Sequence, residues 1–376
     1  METLFWCAFA FVTYTYIGYP LAIWLIALLV HERRTEPAQV TEWPRICVIV
    51  AAYNEEERVA RKIRNLKSLD YPRERMRIVF VSDGSKDSTA ARVAAEGGIE
   101  LIAYDQRRGK PHALNRAVEA AESADILVFT DVRQELSREA LRYLVARLVC
   151  APHVGGASGE LVHMDPQTHA AAYIGLYWRY ETWIRKAESR IGSTIGATGA
   201  LYAIWRRDYA ELPEDTLLDD VVIPLGVVRR GLRVVLEERA VIYDELQKEA
   251  AGERRRKTRT LTGNFQAFAR APWLFVPWRN PIFIQFLSHK LFRLLVPYSL
   301  VLMLVASLVA EGTLYRVMAA GQILFYLLPL PGLLYPRWRN HWLISFVVVF
   351  LELNWAALVA LSNFVMGRTD ARWEKT

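Results

Sequence analysis

The chain has 376 residues, 53% hydrophobic and 23% charged, with a net charge of +7 and three cysteines. This composition excludes intrinsic disorder, collagen-like repeats and a coiled coil, and it requires the apolar excess to be segregated into blocks. Cys7, Cys47 and Cys150 lie far apart and include no CxxC, so there is no disulfide framework and no cysteine-based zinc site, while the basic balance suits either a nucleic-acid binder or a membrane protein facing anionic lipid and substrates.

The first predicted element is an apolar helix over residues 4–30, which carry no charge and exceed the roughly 20 residues needed to span a bilayer. A cleaved signal peptide is the competing reading. The acidic start at Glu2, the length and the bulky Leu-Leu-Val ending favour an anchor. From residue 31 to about 263 the chain is polar and mixed. Residues 46–53 (ICVIVAAY) form a nearly continuous apolar run, as in a strand covered on both faces. A helix follows over 54–69, with acids early and bases late, and Tyr71-Pro72 stops it. Strands are predicted at 77–82, 99–104 and 124–130, and helices at 87–95 and 111–121. Such alternation implies an α/β domain with a mainly parallel sheet, whose ligands bind beyond the carboxyl ends of the strands. Those ends carry Asn54-Glu55, Asp83, Asp105 and Asp131. A single acid there is often just a helix cap, but four successive polar ends are hard to explain by capping.

Further along, Asp219-Asp220 precedes another helical pattern, and residues 253–259 form a basic run. Residues 264–293 mix aromatics, Arg and Lys with Pro272, Pro277 and Pro281, as expected of short helices lying in a membrane interface; a basic, Trp-rich loop is the alternative. Apolar runs at 294–310, 317–335 (with Pro329 and Pro331) and 342–366 (with Glu352) are predicted to cross the membrane. The basic residues Arg33, Arg34, Arg337 and Arg339 favour the cytoplasmic side, which puts the central domain inside and both termini outside. The predicted layout is an N-terminal transmembrane helix (1–35), a nucleotide-binding domain (40–263), interfacial helices (264–293) and three transmembrane helices (294–368).

The motifs carry a resemblance. Ala52-Tyr53-Asn54-Glu55, Asp83-Gly84-Ser85-Lys86-Asp87-Ser88-Thr89, Gly109-Lys110-Pro111-His112-Ala113-Leu114-Asn115 and Thr130-Asp131 resemble, in order and spacing, the motifs of family 2 inverting glycosyltransferases of GT-A fold. Gly196-Ala197-Thr198-Gly199-Ala200 and Leu218-Asp219-Asp220 are similar to later motifs of the membrane-bound branch, which includes cellulose, hyaluronan and chitin-oligosaccharide synthases. The resemblance implies a sugar-nucleotide donor, in first place a UDP-sugar, held by Tyr53, Asn54, Glu55, Asp83, Lys110, Asp131, Arg133 and Arg256. It implies Asp220 as base with Asp219 beside it, and Gly196, Thr198 and Gly199 as the acceptor side. Lys110 suits a phosphate as a point charge; a solvated surface lysine is the alternative. Trp178, Tyr180 and Trp205 are candidates for sugar stacking, although such aromatics are more often core.

Two departures stand out. Processive synthases carry Gln-x-x-Arg-Trp where this chain has Glu253, Arg256 and Lys257, which weakens the case for long polymers. The family's Asp-x-Asp is here Asp131-Val132-Arg133. Either Asp131 still holds Mg2+ or Mn2+ with other donors, or Arg133 supplies the positive charge, or Arg133 merely pairs with an acid. The expected function is transfer of a hexose or N-acetylhexosamine to a glycan or lipid-linked acceptor for cell-surface polysaccharide at the plasma membrane, with polysaccharide-export partners. Single addition to a lipid-linked sugar and a catalytically inactive nucleotide-binding subunit are the alternatives. Nucleic-acid binding is disfavoured, because the basic residues cluster beside membrane segments.

Overall fold

A computed structural model describes residues 1–31, 36–164, 176–245, 250–330 and 342–368. The N-terminal helix comprises α1 (Glu2–Thr13), one π-helical stretch (Tyr14–Gly18) and α2 (Tyr19–Leu29). The central domain then runs β1 (Ile46–Ala52), α3 (Glu56–Lys67), β2 (Met76–Asp83), α4 (Thr89–Ala94), β3 (Glu100–Tyr104), α5 (Lys110–Ala120), β4 (Ile126–Thr130), β5 (Glu135–Leu136), α6 (Ala140–Val149), β6 (Val154–Met164), α7 (Leu176–Ile191), β7 (Leu201–Trp205), α8 (Asp219–Arg229) and β8 (Arg233–Glu245). After it come α9 (Ala250–Arg270), a short α10 (Phe283–Gln285), α11 (Phe292–Val309), α12 (Thr313–Leu327) and α13 (Trp342–Val365).

The eight strands form one sheet in the order β3-β2-β1-β4-β7-β6-β8-β5. The first four are parallel, as the strand–helix alternation predicts. β7 then runs antiparallel to both β4 and β6, while β6 and β8 are parallel. Alternate residues of β1 serve two cores. Val48 and Val50 pack with Val59, Ile63 and Leu66 of α3 and with α6, whereas Cys47 and Ile49 pack with Ala113, Leu114 and Ala117 of α5. This two-sided burial is why the strand reads as continuous rather than alternating hydrophobicity. It also leaves the strand ends as the place where polar groups can gather.

Among the described residues, three helical segments are long and apolar enough to cross a membrane: Glu2–Leu29, Phe283–Val309 and Leu343–Val365. They present large apolar side chains outward, such as Leu25, Leu29, Val301, Leu308 and Val365. The remaining predicted crossing begins as α12, and its end at 331–335 lies outside the described residues, as do Arg33, Arg34, Arg337 and Arg339. The second span begins at Phe283, within the segment predicted to be interfacial. Its polar residues are accommodated by pairing. His289 lies 2.8 Å from Glu188 and 3.2 Å from Glu181 of α7, and Arg293 bonds Glu181. Tyr19 of α2 donates to Glu188 at 2.7 Å, so α7 is bonded to two membrane helices at once. Exposed Trp278 and Phe275 just before the span suit an interfacial position. Glu352 of α13 is likewise not left bare, since Lys257 of α9 donates to it at 3.3 Å.

Candidate active site

The first two strand ends are joined to each other. Asn54 takes a left-handed conformation (φ 53°), and its Oδ1 accepts the Lys86 N–H at 2.9 Å. The Glu55 N–H donates to Thr89 Oγ1 at 2.8 Å. Gly84, at φ 64°, is required by contact as well as by conformation, because a Cβ there would lie 2.5 Å from the Arg107 nitrogen. Tyr53 carries the Arg107 guanidinium 3.9 Å from its ring centroid. Asp83 is fully buried, and its two oxygens accept the N–H groups of Arg108 (2.7 Å) and Gly109 (2.9 Å). A carboxylate at the end of β2 therefore holds the turn that opens α5, leaving only its remaining lone pairs for a ligand. Asp105 is exposed at the end of β3.

That turn delivers Lys110 to the middle of the sheet. Its Nζ lies 3.0 Å from Asp131 at the end of β4 and 3.1 Å from Asp219 at the start of α8. Burial opposes the ammonium, but Asp131, Asp219 and Asp220 outweigh it and hold the pKa above the ordinary lysine value. Tyr202 of β7 donates its hydroxyl to Asp219 at 3.2 Å. Asp220 is pushed up to about 7, by burial first and then by the charge of Asp219, with Asp131 adding while Lys110 and Arg259 pull the other way. A carboxyl with that pKa is poised to accept a proton near neutral pH.

The loop 196–200 lies against this acid. Ala197 N–H donates to the Asp220 carbonyl at 2.8 Å, and a Cβ on Gly199 would stand 3.0 Å from Asp220 Oδ2. Thr198 Oγ1 accepts from Arg185 of α7 at 3.1 Å. Tyr53, Asn54, Glu55, Asp83, Lys110, Asp131, Asp219, Asp220, Gly196, Thr198 and Gly199 thus gather at one edge of the sheet, formed by the carboxyl ends of β1, β2 and β4, the amino ends of α5 and α8, and the loop before antiparallel β7. Arg133 turns elsewhere: its Nη2 is 2.5 Å from Asp244 on β8, and Gln134 donates to the same oxygen at 3.2 Å. Arg133 is thus paired with an acid, in a buried setting. Arg256 is exposed on α9, and Arg259 of the same helix acts on Asp220. The side chain of Glu253 lies outside the described residues. The three aromatic candidates make protein contacts: Trp178 with His163, Tyr180 with the Tyr16 carbonyl and Trp205 with Arg207.

Residues 47–206 match the family model described as "Glycosyl transferase family 2". That segment is similar to this family. The structure extends its sheet past residue 206 to β8, so Asp219 and Asp220 lie outside the matched segment but inside the same fold. Among curated relatives, the poly-β-1,6-N-acetyl-D-glucosamine synthase of Staphylococcus aureus (strain COL) is 21% identical over 246 residues, covering 61% of this chain and 57% of its own length. The same-named synthase of Staphylococcus epidermidis is 21% identical over 243 residues, covering 61% of this chain and 56% of its own. The chain thus spans a little over half the length of these relatives. In overall fold it is similar to a solved mannosyltransferase from Pyrobaculum calidifontis, with a TM-score of 0.72 at 22% identity over 97% of this chain and 99% of that one.

Sequence reasoning missed Arg185, Tyr202 and Lys62 of this domain. For Lys62 a signal existed, since it lies on the apolar stripe Val59, Ile63, Leu66 of its helix. Removing Arg133 would strand a buried carboxylate, because the Asp244 side chain is only 3% exposed. Arg133→Ala is therefore expected to destabilise the domain by about 3–5 kcal/mol, measured by denaturant unfolding. Wild-type stability in that variant would show that the pair contributes nothing.

Proposed function

We propose that this chain is an inverting membrane glycosyltransferase. It moves a hexose or N-acetylhexosamine from a nucleotide sugar, in first place a UDP-sugar, to a glycan or lipid-linked acceptor in cell-surface polysaccharide synthesis. The observation that carries this reading is Asp220, a carboxyl with pKa about 7 lying under the 196–200 loop and beside the Asp131–Lys110–Asp219 cluster. Similarity to the staphylococcal synthases supports the polysaccharide product, and the solved mannosyltransferase, complexed with GDP-Man and Mn2+, supports a sugar-nucleotide donor.

In the proposed reaction the acceptor hydroxyl gives its proton to Asp220. Its oxygen bonds to the anomeric carbon from the side opposite the diphosphate, and the old carbon–oxygen bond breaks with its electron pair leaving on the nucleoside diphosphate. Lys110 supplies fixed positive charge where the leaving group gains negative charge. Among the described residues no three His, Cys, Asp or Glu side chains gather as a metal-binding set. Asp131, with its side chain 40% exposed, would hold Mg2+ or Mn2+ as one carboxylate ligand. When bound, such an ion neutralises the leaving diphosphate.

A second reading, a single addition to a lipid-linked sugar, is favoured by Lys257, which occupies the position of the processive tryptophan and pairs with Glu352 of α13. The full chain in lipid nanodiscs, given UDP-glucose, UDP-N-acetylglucosamine or GDP-mannose and read by product mass, separates the two. A ladder of products indicates polymerisation and one added sugar indicates single addition. Loss of transfer in EDTA, restored by Mg2+ or Mn2+, is the expected metal response. No transfer and no donor hydrolysis with any donor would overturn the enzyme reading in favour of an inactive nucleotide-binding subunit. We further place the domain on the cytoplasmic side of the plasma membrane, with four crossings and both termini outside. A reporter fused after Thr376 that behaves as cytoplasmic would overturn that topology.

A further inference from the structure

Lys62 has no task in the reaction proposed above, yet it is 1% exposed, on the face of α3 that packs into the core. Methionine or leucine would fill such a position without removing an ammonium from water, which is costly. What an apolar side chain could not do is donate. Lys62 Nζ donates to Thr130 Oγ1 at 2.8 Å and to the Gln134 carbonyl at 2.8 Å. Thr130 Oγ1 in turn donates to the Ala200 carbonyl at 2.7 Å.

These bonds reach both halves of the site. Thr130 immediately precedes Asp131, and Gln134 ends the turn that Asp131 begins. Ala200 immediately follows Gly199, which lies against the Asp220 carboxylate. We infer that Lys62 is a positioning residue, which through Thr130 registers the strand end bearing Asp131 against the loop that holds Asp220. This rests on the transferase reading above. Burial lowers the Lys62 pKa to about 7, with Asp131 and Glu135 opposing. A neutral amine keeps two N–H groups, so both bonds survive loss of the proton. The role is therefore geometric, and geometry is where transfer is sensitive: a misplacement of about 1 Å can cost about 100-fold in rate.

The test uses the full chain in nanodiscs with the donor that the wild type turns over. Lys62→Met is expected to lower kcat by about 10- to 100-fold, with the donor KM and UDP Kd within about threefold and Tm unchanged or raised. Thr130→Val should lose a similar factor while Thr130→Ser stays near wild type. Lys62→Met/Thr130→Val should be no slower than the worse single variant, because both cut one relay. Wild-type kcat in Lys62→Met, fully multiplicative losses in the double variant, or equal kcat in the two Thr130 variants would each overturn the inference. If Lys62→Met fails to fold, the Thr130 pair decides alone. A wild type that transfers nothing defeats the transferase reading instead, so the two failures are distinguishable.

Discussion

Asp220→Asn is expected to lower kcat by about 10²–10⁴-fold, the usual contribution of a general base, while UDP affinity stays within about twofold. The amide keeps the shape of the side chain and loses the ability to take a proton. The pH profile offers an independent check. The carboxylate is the working form, and its pKa is about 7, so activity should rise with pH along a limb centred near 7. An ordinary aspartate would give a limb near pH 4. If Asp220→Asn stays active while Asp219→Asn is dead, the base is the neighbour that Tyr202 and Lys110 hold.

Lys110→Ala should be nearly as damaging, by about 10²–10³-fold at pH 7, and it should move the limb as well as the height of the profile. Asp131, Asp219 and Asp220 share this ammonium, and it is the largest pull downward on the Asp220 pKa. Without it the carboxyl holds its proton to higher pH, so the acid limb shifts alkaline and the donor KM rises. Asp131→Asn removes a negative charge that raises the same pKa, so its limb should shift acidic. Opposite shifts from the two variants would establish one electrostatic unit. A Lys110→Ala enzyme with reduced activity on an unmoved limb would confine Lys110 to the donor.

The first half of the domain was legible because its signals are local. The two-sided burial of β1 appears as one apolar run, and motif residues at strand ends must lie on one edge of a parallel sheet. The segments 196–200 and Asp219-Asp220 were each picked out by their resemblance to family motifs, but that they pack together came only from the structure. The reversal of β7 was not legible either. Antiparallel and parallel strands bury the same residue types, and direction depends on where the chain returns after α7.

The sequence by itself determined the α/β class of the central domain, the carboxyl edge on which its acids meet and the presence of apolar helices long enough to span a bilayer. Hydrophobic period and charge are properties of short windows, so they need no knowledge of what packs against them. Only the tertiary structure decided which buried charges meet. Arg133 finds Asp244 across 111 residues, Lys62 reaches Thr130 across 68, and His289 and Arg293 enter a membrane helix because Glu181 and Glu188 of a distant helix are there to pair with them. A charge in an apolar setting is stable only with its partner in place. The partner is chosen by how the chain folds back, which no local window contains.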